Sequence, residues 1–149
     1  MGATGAKGTA GAGIILQRVS AAQADDIQTS DTNFDDVPQC LVAITTTAGT
    51  SLLIWAAFSA LNTVAGGTLE FRILVDGVSI GGCGMNMPDT FTQNRETGAL
   101  IFVKSVAAGN HTVQLQWRVG TASGVQTGFI RPVTFPDQEN ATLLVMESN

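Results

Sequence analysis

The chain has 149 residues, 44% of them hydrophobic and only 13% charged, with a formal net charge of −5. That length suits one domain with a proper core, but so little charge, against roughly 25% in an ordinary soluble chain, leaves neutral surface that favours cover by other subunits. Seven Lys and Arg with no basic stripe exclude a protein that tracks a nucleic-acid backbone, and the longest apolar stretch, Ser51 to Leu61, is far short of the roughly 20 residues of a spanning helix, so no membrane insertion is expected.

The chain begins with Gly2, Gly5, Gly8 and Gly11 in phase, and the pattern stops at an apolar run. Collagen needs glycine at every third place because only a hydrogen fits at the axis shared by three chains. A flexible tail is the other reading, and the x and y places hold no proline. Residues 1–13 are set apart as this arm, and residues 14–149 as the folded domain. The N-terminus lacks the basic-then-apolar layout of a secretory signal.

From residue 14 the texture is β throughout. "IILQRVSAA" reads as a first strand and "DDIQTSDTNFDDVPQ" as an acidic loop. Further strands are expected at "CLVAITTT", "TSLLIWAAFSALN", "TLEFRILVDG", "ALIFVKSV", "NHTVQLQWRVG", "TGFIRPVTF" and "NATLLVMES", separated by turn signals such as "TAGT", "DG" and "AAGN". "IWAAFSAL" has a helical look, but its β neighbours and Ser/Thr flanks favour a strand. About eight strands without room for crossover helices predict an all-β antiparallel sandwich of the jelly-roll kind.

Alternate residues of a strand share a face. Leu69, Phe71, Ile73 and Val75 therefore face inward, as do Val113, Leu115, Trp117 and Val119, with polar residues between them. "SLLIWAAF", "ALIFV" and "ATLLVM" are instead apolar on both faces. The outer face of a two-layer sandwich normally meets water, so these strands need a second cover, either their own long loops or neighbouring copies. Leu53, Trp55, Phe58, Leu100, Phe102, Leu144 and Met146 are the candidate contact residues. Gly-x-y repeats require three chains and doubly apolar strands require partners, and a homotrimer satisfies both.

No catalytic, cofactor or metal motif stands out. "DTNFDD" spaces Asp31, Asn33 and Asp35 like the start of a calcium loop, but Asp36 and Val42 stand where that loop needs Gly and Glu. Asp25, Asp26, Asp31, Asp35 and Asp36 then read as a solvated acidic loop, with a site of another kind as the alternative. His111 is the only histidine and reads as a strand-end residue. Cys40 reads as a small buried thiol and Cys83 as a loop residue, with nothing in their spacing that argues for a disulfide. Residues 81–98 form the longest irregular stretch. Met85, Met87 and Phe91, rimmed by Arg95, are its candidate ligand contacts, and a connection lying over its own sheet is the alternative. Asn110 and Asn140 head formal N-glycosylation tripeptides, of which Asn110 in its turn is the better candidate.

A short Gly-x-y segment running into a compact all-β domain resembles the collagen-plus-head arrangement of complement and tumour-necrosis-factor type trimeric jelly rolls, and of bacteriophage fibre or capsid-decoration proteins. "AGNHTVQLQWRV" and "ATLLVME" resemble the closing strands of such heads. The absence of tyrosine and the proline-free arm depart from the animal complement type and point to a viral or bacterial member. The resemblance implies a non-enzymatic protein on a virion surface, without a cofactor, whose partners are its own copies and a capsid protein or a host-surface receptor or glycan. A secreted or cell-surface binding module is the alternative.

Overall fold

The computed structural model describes residues 15–23, 27–63, 66–86, 96–120, 128–130 and 141–149. The Gly-x-y arm, Asp25, Asp26, Met87, Phe91, Arg95 and Asn140 lie outside them.

Among the described residues are ten strands and no helix: β1 (Ile15–Gln23), β2 (Ile27–Thr29), β3 (Asp35–Thr46), β4 (Ser51–Asn62), β5 (Thr68–Val75), β6 (Val78–Asn86), β7 (Glu96–Ser105), β8 (Gly109–Val119), β9 (Gly128–Ile130) and β10 (Ala141–Ser148). They form two sheets in which every pairing is antiparallel. In the first, β1 pairs β10 and β10 pairs β4; β7 runs along the other side of β4, and the short β9 and β2 extend the sheet from the end of β4. The second has the order β3-β8-β5-β6. From β2 to β5 and from β6 to β9 successive strands change sheet, whereas β5 and β6 form a hairpin within one, and the outermost strand β1 lies against the last strand β10.

Two stretches expected to be irregular are strands. β6 takes up residues 78–86, including Cys83, because the turn at Asp76 and Gly77 folds it back onto β5. Both turn residues have positive φ (52° and 76°), the geometry that matches the twist of a two-residue hairpin. β2 takes up three residues of the acidic loop, and β3 begins at Asp35, five residues before Cys40, where the strand was expected. The extension is interrupted: Asp36 pairs Gln116 and Leu41 pairs Gln114, so residues 37–40 bulge out, with Pro38 where no ladder donor is needed and Gln39 at φ 62°.

Leu69, Phe71, Ile73 and Val75 on β5 and Val113, Leu115, Trp117 and Val119 on β8 are all buried, as their alternation predicts. The even-numbered residues of β4 and the odd-numbered residues of β10 meet them from the other sheet. Phe58 from β4 stacks on Phe71 at 3.8 Å between ring centroids, and Phe71 lies 6.3 Å from Trp117. Gly98, paired with Phe58 across the ladder, makes room for that ring, since a Cβ there would stand 2.5 Å from it. The core face of β10 ends on a buried carboxylate, Glu147, whose Oε1 accepts hydrogen bonds from the Thr47 amide (2.7 Å) and hydroxyl (2.9 Å). A buried carboxyl group is tolerable when hydrogen-bonded in this way, and here it fixes the turn between β3 and β4. Cys40 is buried, its thiol 3.8 Å from Ala141 O, and Cys83 is half-buried; no disulfide joins them.

The registers define two rims. Ile15 pairs Ser148, and Ser148 pairs Ser51, which also pairs Ser105. The turns 47–50, 76–77 and 106–108 gather at this rim, where the Thr46 hydroxyl donates to Ala107 O (2.8 Å) and the Val106 amide to Thr50 O (3.4 Å). Asn62, Thr68, Asn86, Glu96, Val119 and Ala141 stand towards the other.

Candidate assembly interface

The outer face of the first sheet is the part of the surface that departs from ordinary soluble behaviour. Opposite residues on one face of an antiparallel pair bring their side chains within contact range. The ladder places Met146, Leu53 and Val103 in one such row and Leu144, Trp55 and Ile101 in the next. Val103 is 70% exposed, Ile101 67% and Trp55 40%; Leu53 and Met146 are half-buried. Two adjacent rows of large apolar side chains, three strands wide, thus stand on the outside of the described sandwich. Their flanks are small or polar: Ser148, Ser51 and Ser105 form the row on one side, and Thr142, Ala57 and Ala99 the row on the other.

Of the seven candidate contact residues, Leu53, Trp55, Leu144 and Met146 lie on this face. Leu144 is nevertheless buried at 8% exposure. Phe58 and Leu100 point the other way and are core residues at 2% and 6% exposure, while Phe102, on the same face as Leu100, packs against the core. They cannot meet another subunit without opening the sandwich. Their outward neighbours Ile101 and Val103, which alternation puts on the opposite side of β7, take that role. Of the candidate ligand-loop residues only Met85 is described; it sits half-buried on β6 against the core.

The remaining sequence candidates are partnered locally. Asp31 Oδ1 accepts from the Asn33 amide (2.8 Å), Asp35 Oδ1 from the Asp36 amide (2.8 Å), and Asp36 Oδ1 from Gln116 Nε2 (2.6 Å). His111 lies within β8 near its start. Its Nδ1 stands 2.7 Å from Asp76 Oδ2 and its Nε2 3.0 Å from Ala107 O, and Asp76 Oδ1 accepts from the Thr112 amide at 2.9 Å. Both ring nitrogens face acceptors, an arrangement that the doubly protonated imidazolium alone satisfies with two N–H groups. The hydrogen bond to Asp76, then that to Ala107, hold the His111 pKa above its ordinary value, and the same bond from His111, then the Thr112 amide, hold Asp76 below its own. A raised histidine stabilises the fold fully below its unfolded pKa and loses that contribution as pH climbs through the folded value; a lowered aspartate does so above its unfolded pKa and loses it as pH falls through the folded value. The tie across the 76–77 and 106–108 turns is therefore strongest between the ordinary aspartate and histidine values. Asp76→Asn is expected to bring the His111 midpoint, followed by its ring-proton NMR shift, down towards about 6.5; an unchanged midpoint would refute the pairing in solution.

The protein is an all-β antiparallel sandwich. Part of a larger chain of known structure has a similar fold. Dimeric latent PorU from Porphyromonas gingivalis matches over 99% of this chain and 14% of its own, with a TM-score of 0.54 and 14% identity. A chain from the structure of infectious bursal disease virus, Gt strain, matches over 89% of this chain and 37% of its own, with a TM-score of 0.47 and 15% identity; one from the Gx strain gives 0.41 over 36% of its own length. This chain thus spans about a seventh of PorU and little over a third of the viral chains, and at 14% identity the likeness to PorU is one of fold alone. No family model and no curated protein sequence matches the chain.

Proposed function

We propose that the protein is a non-enzymatic, homotrimeric jelly-roll head carried on a Gly-x-y arm, serving as a capsid-decoration or fibre-head component of a bacteriophage particle. The observation that carries the assembly is the double apolar row Met146–Leu53–Val103 and Leu144–Trp55–Ile101 on the outside of the sandwich. A standard interface takes roughly 800 Å² from each partner, and a face three strands wide with an exposed aromatic, Trp55, near its centre has the layout of a contact that holds. Taking β1, β3, β4, β5, β6, β7, β8 and β10 as the eight long strands, first, eighth, third and sixth form one sheet and second, seventh, fourth and fifth the other; that interlocked order supports the jelly-roll reading. The virion setting rests on the resemblance of arm and head to phage fibre and decoration proteins.

Mass in solution tests the reading. Light scattering is expected to return three times the 15.4 kDa of one chain, for the whole protein and for a version starting at Gly13. A monomer in both cases would defeat it, and a trimer only with the arm would move the assembling contact from the sheet to the tail. Co-sedimentation with empty capsid shells is expected of a decoration protein, and with host cells of a fibre head.

A further inference from the structure

The opposite side of the sandwich, the outer face of β8, β5 and β6, carries a different surface. On β6, Gly82 pairs Arg72 and Gly84 pairs Glu70 across the ladder. With no side chains at these glycines, a groove of about 520 Å³ opens there, walled by Phe34, Thr68, Glu70 and Arg72. Two arginines lie under the Phe34 ring, their guanidinium carbons 4.0 Å (Arg72) and 4.5 Å (Arg118) from its centroid. Their states differ. Arg118 is neutralised: its Nε and Nη2 donate to Glu70 Oε2 at 2.8 and 2.6 Å, and its Nη1 to Thr32 O at 3.3 Å. Arg72 is held by a neutral group, its Nε donating to Gln116 Oε1 at 2.8 Å while Gln116 Nε2 donates to Asp36. Among the described residues no carboxylate pairs with Arg72, and neither of its Nη groups has an acceptor.

We propose that this groove binds the carboxylate of an acidic sugar residue, end-on, through Nη1 and Nη2 of Arg72. The guanidinium is pre-set: Gln116 occupies its Nε edge and Phe34 covers one face, so the edge between the two Nη groups is what is left, and that edge matches the two oxygens of a carboxylate. Holding the donor in place before binding reduces the ordering cost of the complex. The rest of the wall suits a hydroxylated body. Glu70 Oε1 takes no hydrogen bond from the described residues, and Thr68 and Ser79 also border the groove. With one unpaired cation, flanked by Glu70 and Asp36 in a chain of net charge −5, the site suits a single negative charge and repels a polyanion. The proposal gives a ligand class to the receptor or glycan side of the reading above, on which it rests for its biological setting. Because groove and apolar rows occupy opposite sheets, sugar binding and mass in solution fail separately.

The probes are methyl β-glucuronide, methyl β-glucoside and inorganic phosphate, titrated into the 15N-labelled protein at tens of millimolar. The glucuronide is expected to shift the Gly82 and Gly84 amides, and the glucoside to bind at least about tenfold more weakly. Arg72→Gln is expected to abolish the glucuronide shifts and Arg72→Lys, which keeps the charge but not the fork, to weaken them about tenfold. Gly84→Val tests the cavity without touching the arginine, since a Cβ at that position meets only Glu70 Cγ at 3.9 Å; it too is expected to abolish binding, with an unchanged melting temperature. Glucuronide that leaves both glycine amides unmoved, or binds Arg72→Gln as well as the parent, overturns the proposal. Phosphate binding as tightly as glucuronide overturns the sugar-acid assignment.

Discussion

Replacing Trp55 and Val103 together by aspartate is expected to convert the proposed trimer into folded monomers, read as a fall in light-scattering mass to that of one chain. Both positions lie on the outer face of the first sheet, at 40% and 70% exposure, so the isolated sandwich tolerates a carboxylate at either. In the assembly each aspartate would be buried without a partner. An uncompensated charge of that kind costs about 3–5 kcal/mol, and every 1.4 kcal/mol is about a tenfold change in affinity, so one substitution weakens the contact by two to three orders of magnitude and the pair leaves nothing measurable. Leu41→Asp is the control. Leu41 is also a large exposed apolar residue, at 51%, but it belongs to β3 in the second sheet, and its replacement is expected to leave the mass unchanged. Should the double variant keep the parent mass with a native circular-dichroism spectrum, the apolar rows are not the contact.

Phe71→Ala is expected to destabilise the fold by about 3–5 kcal/mol, the usual cost of truncating a buried aromatic. Phe71 is 1% exposed and is the middle ring of three, with Phe58 from the facing sheet on one side and Trp117 on the other. Its removal leaves a cavity between the sheets and strips Phe58 of the only aromatic partner described for it. Against a typical stability of about 5–15 kcal/mol, that is a large share. Because the stability of the proposed trimer would depend on concentration, urea melts of parent and variant belong at the same protomer concentration. Phe71→Leu, which keeps most of the volume, is expected to cost markedly less; equal losses for both, or a loss under about 1 kcal/mol for alanine, would remove the stack from its central role.

Much of the sandwich is written in local alternation. Period-two patterning on β5 and β8 named eight buried residues, because each of those strands has one wet face and the polar residues mark it. The same argument was harder to use on β4, β7 and β10, which are apolar on both sides. Parity alone separates Leu53 and Trp55 from Phe58, since odd and even positions of one strand cannot share a face. Within β7, by contrast, Leu100 with Phe102 and Ile101 with Val103 are equally apolar pairs. Which pair turns outward is decided by the register of β7 on β4, a contact between residues more than forty positions apart, and no local pattern encodes it. The glycine-rich β6 escaped for a related reason. "GGCG" has little strand preference of its own, and pairing to β5 overrides it. The groove escaped too, because it consists of side chains that are missing: Arg72 was visible as an outward-facing residue, but its unpaired state depends on Gln116, forty-four residues away, and on Phe34, in what read as a loop.

The pairing of Ile15 with Ser148 has a practical reach beyond the fold. The first residue of β1 and the last of β10 stand side by side, at the same pole as the tight turns, while the strand ends at Asn86, Glu96 and Val119 belong to the antipode. A tether or reporter joined at Ile15 or at Ser148 would therefore hold the body by that one pole. A label at Asn149 and one at Asn86 would stand at opposite poles of the sandwich, which makes that pair of sites a natural choice for reading the orientation of the molecule.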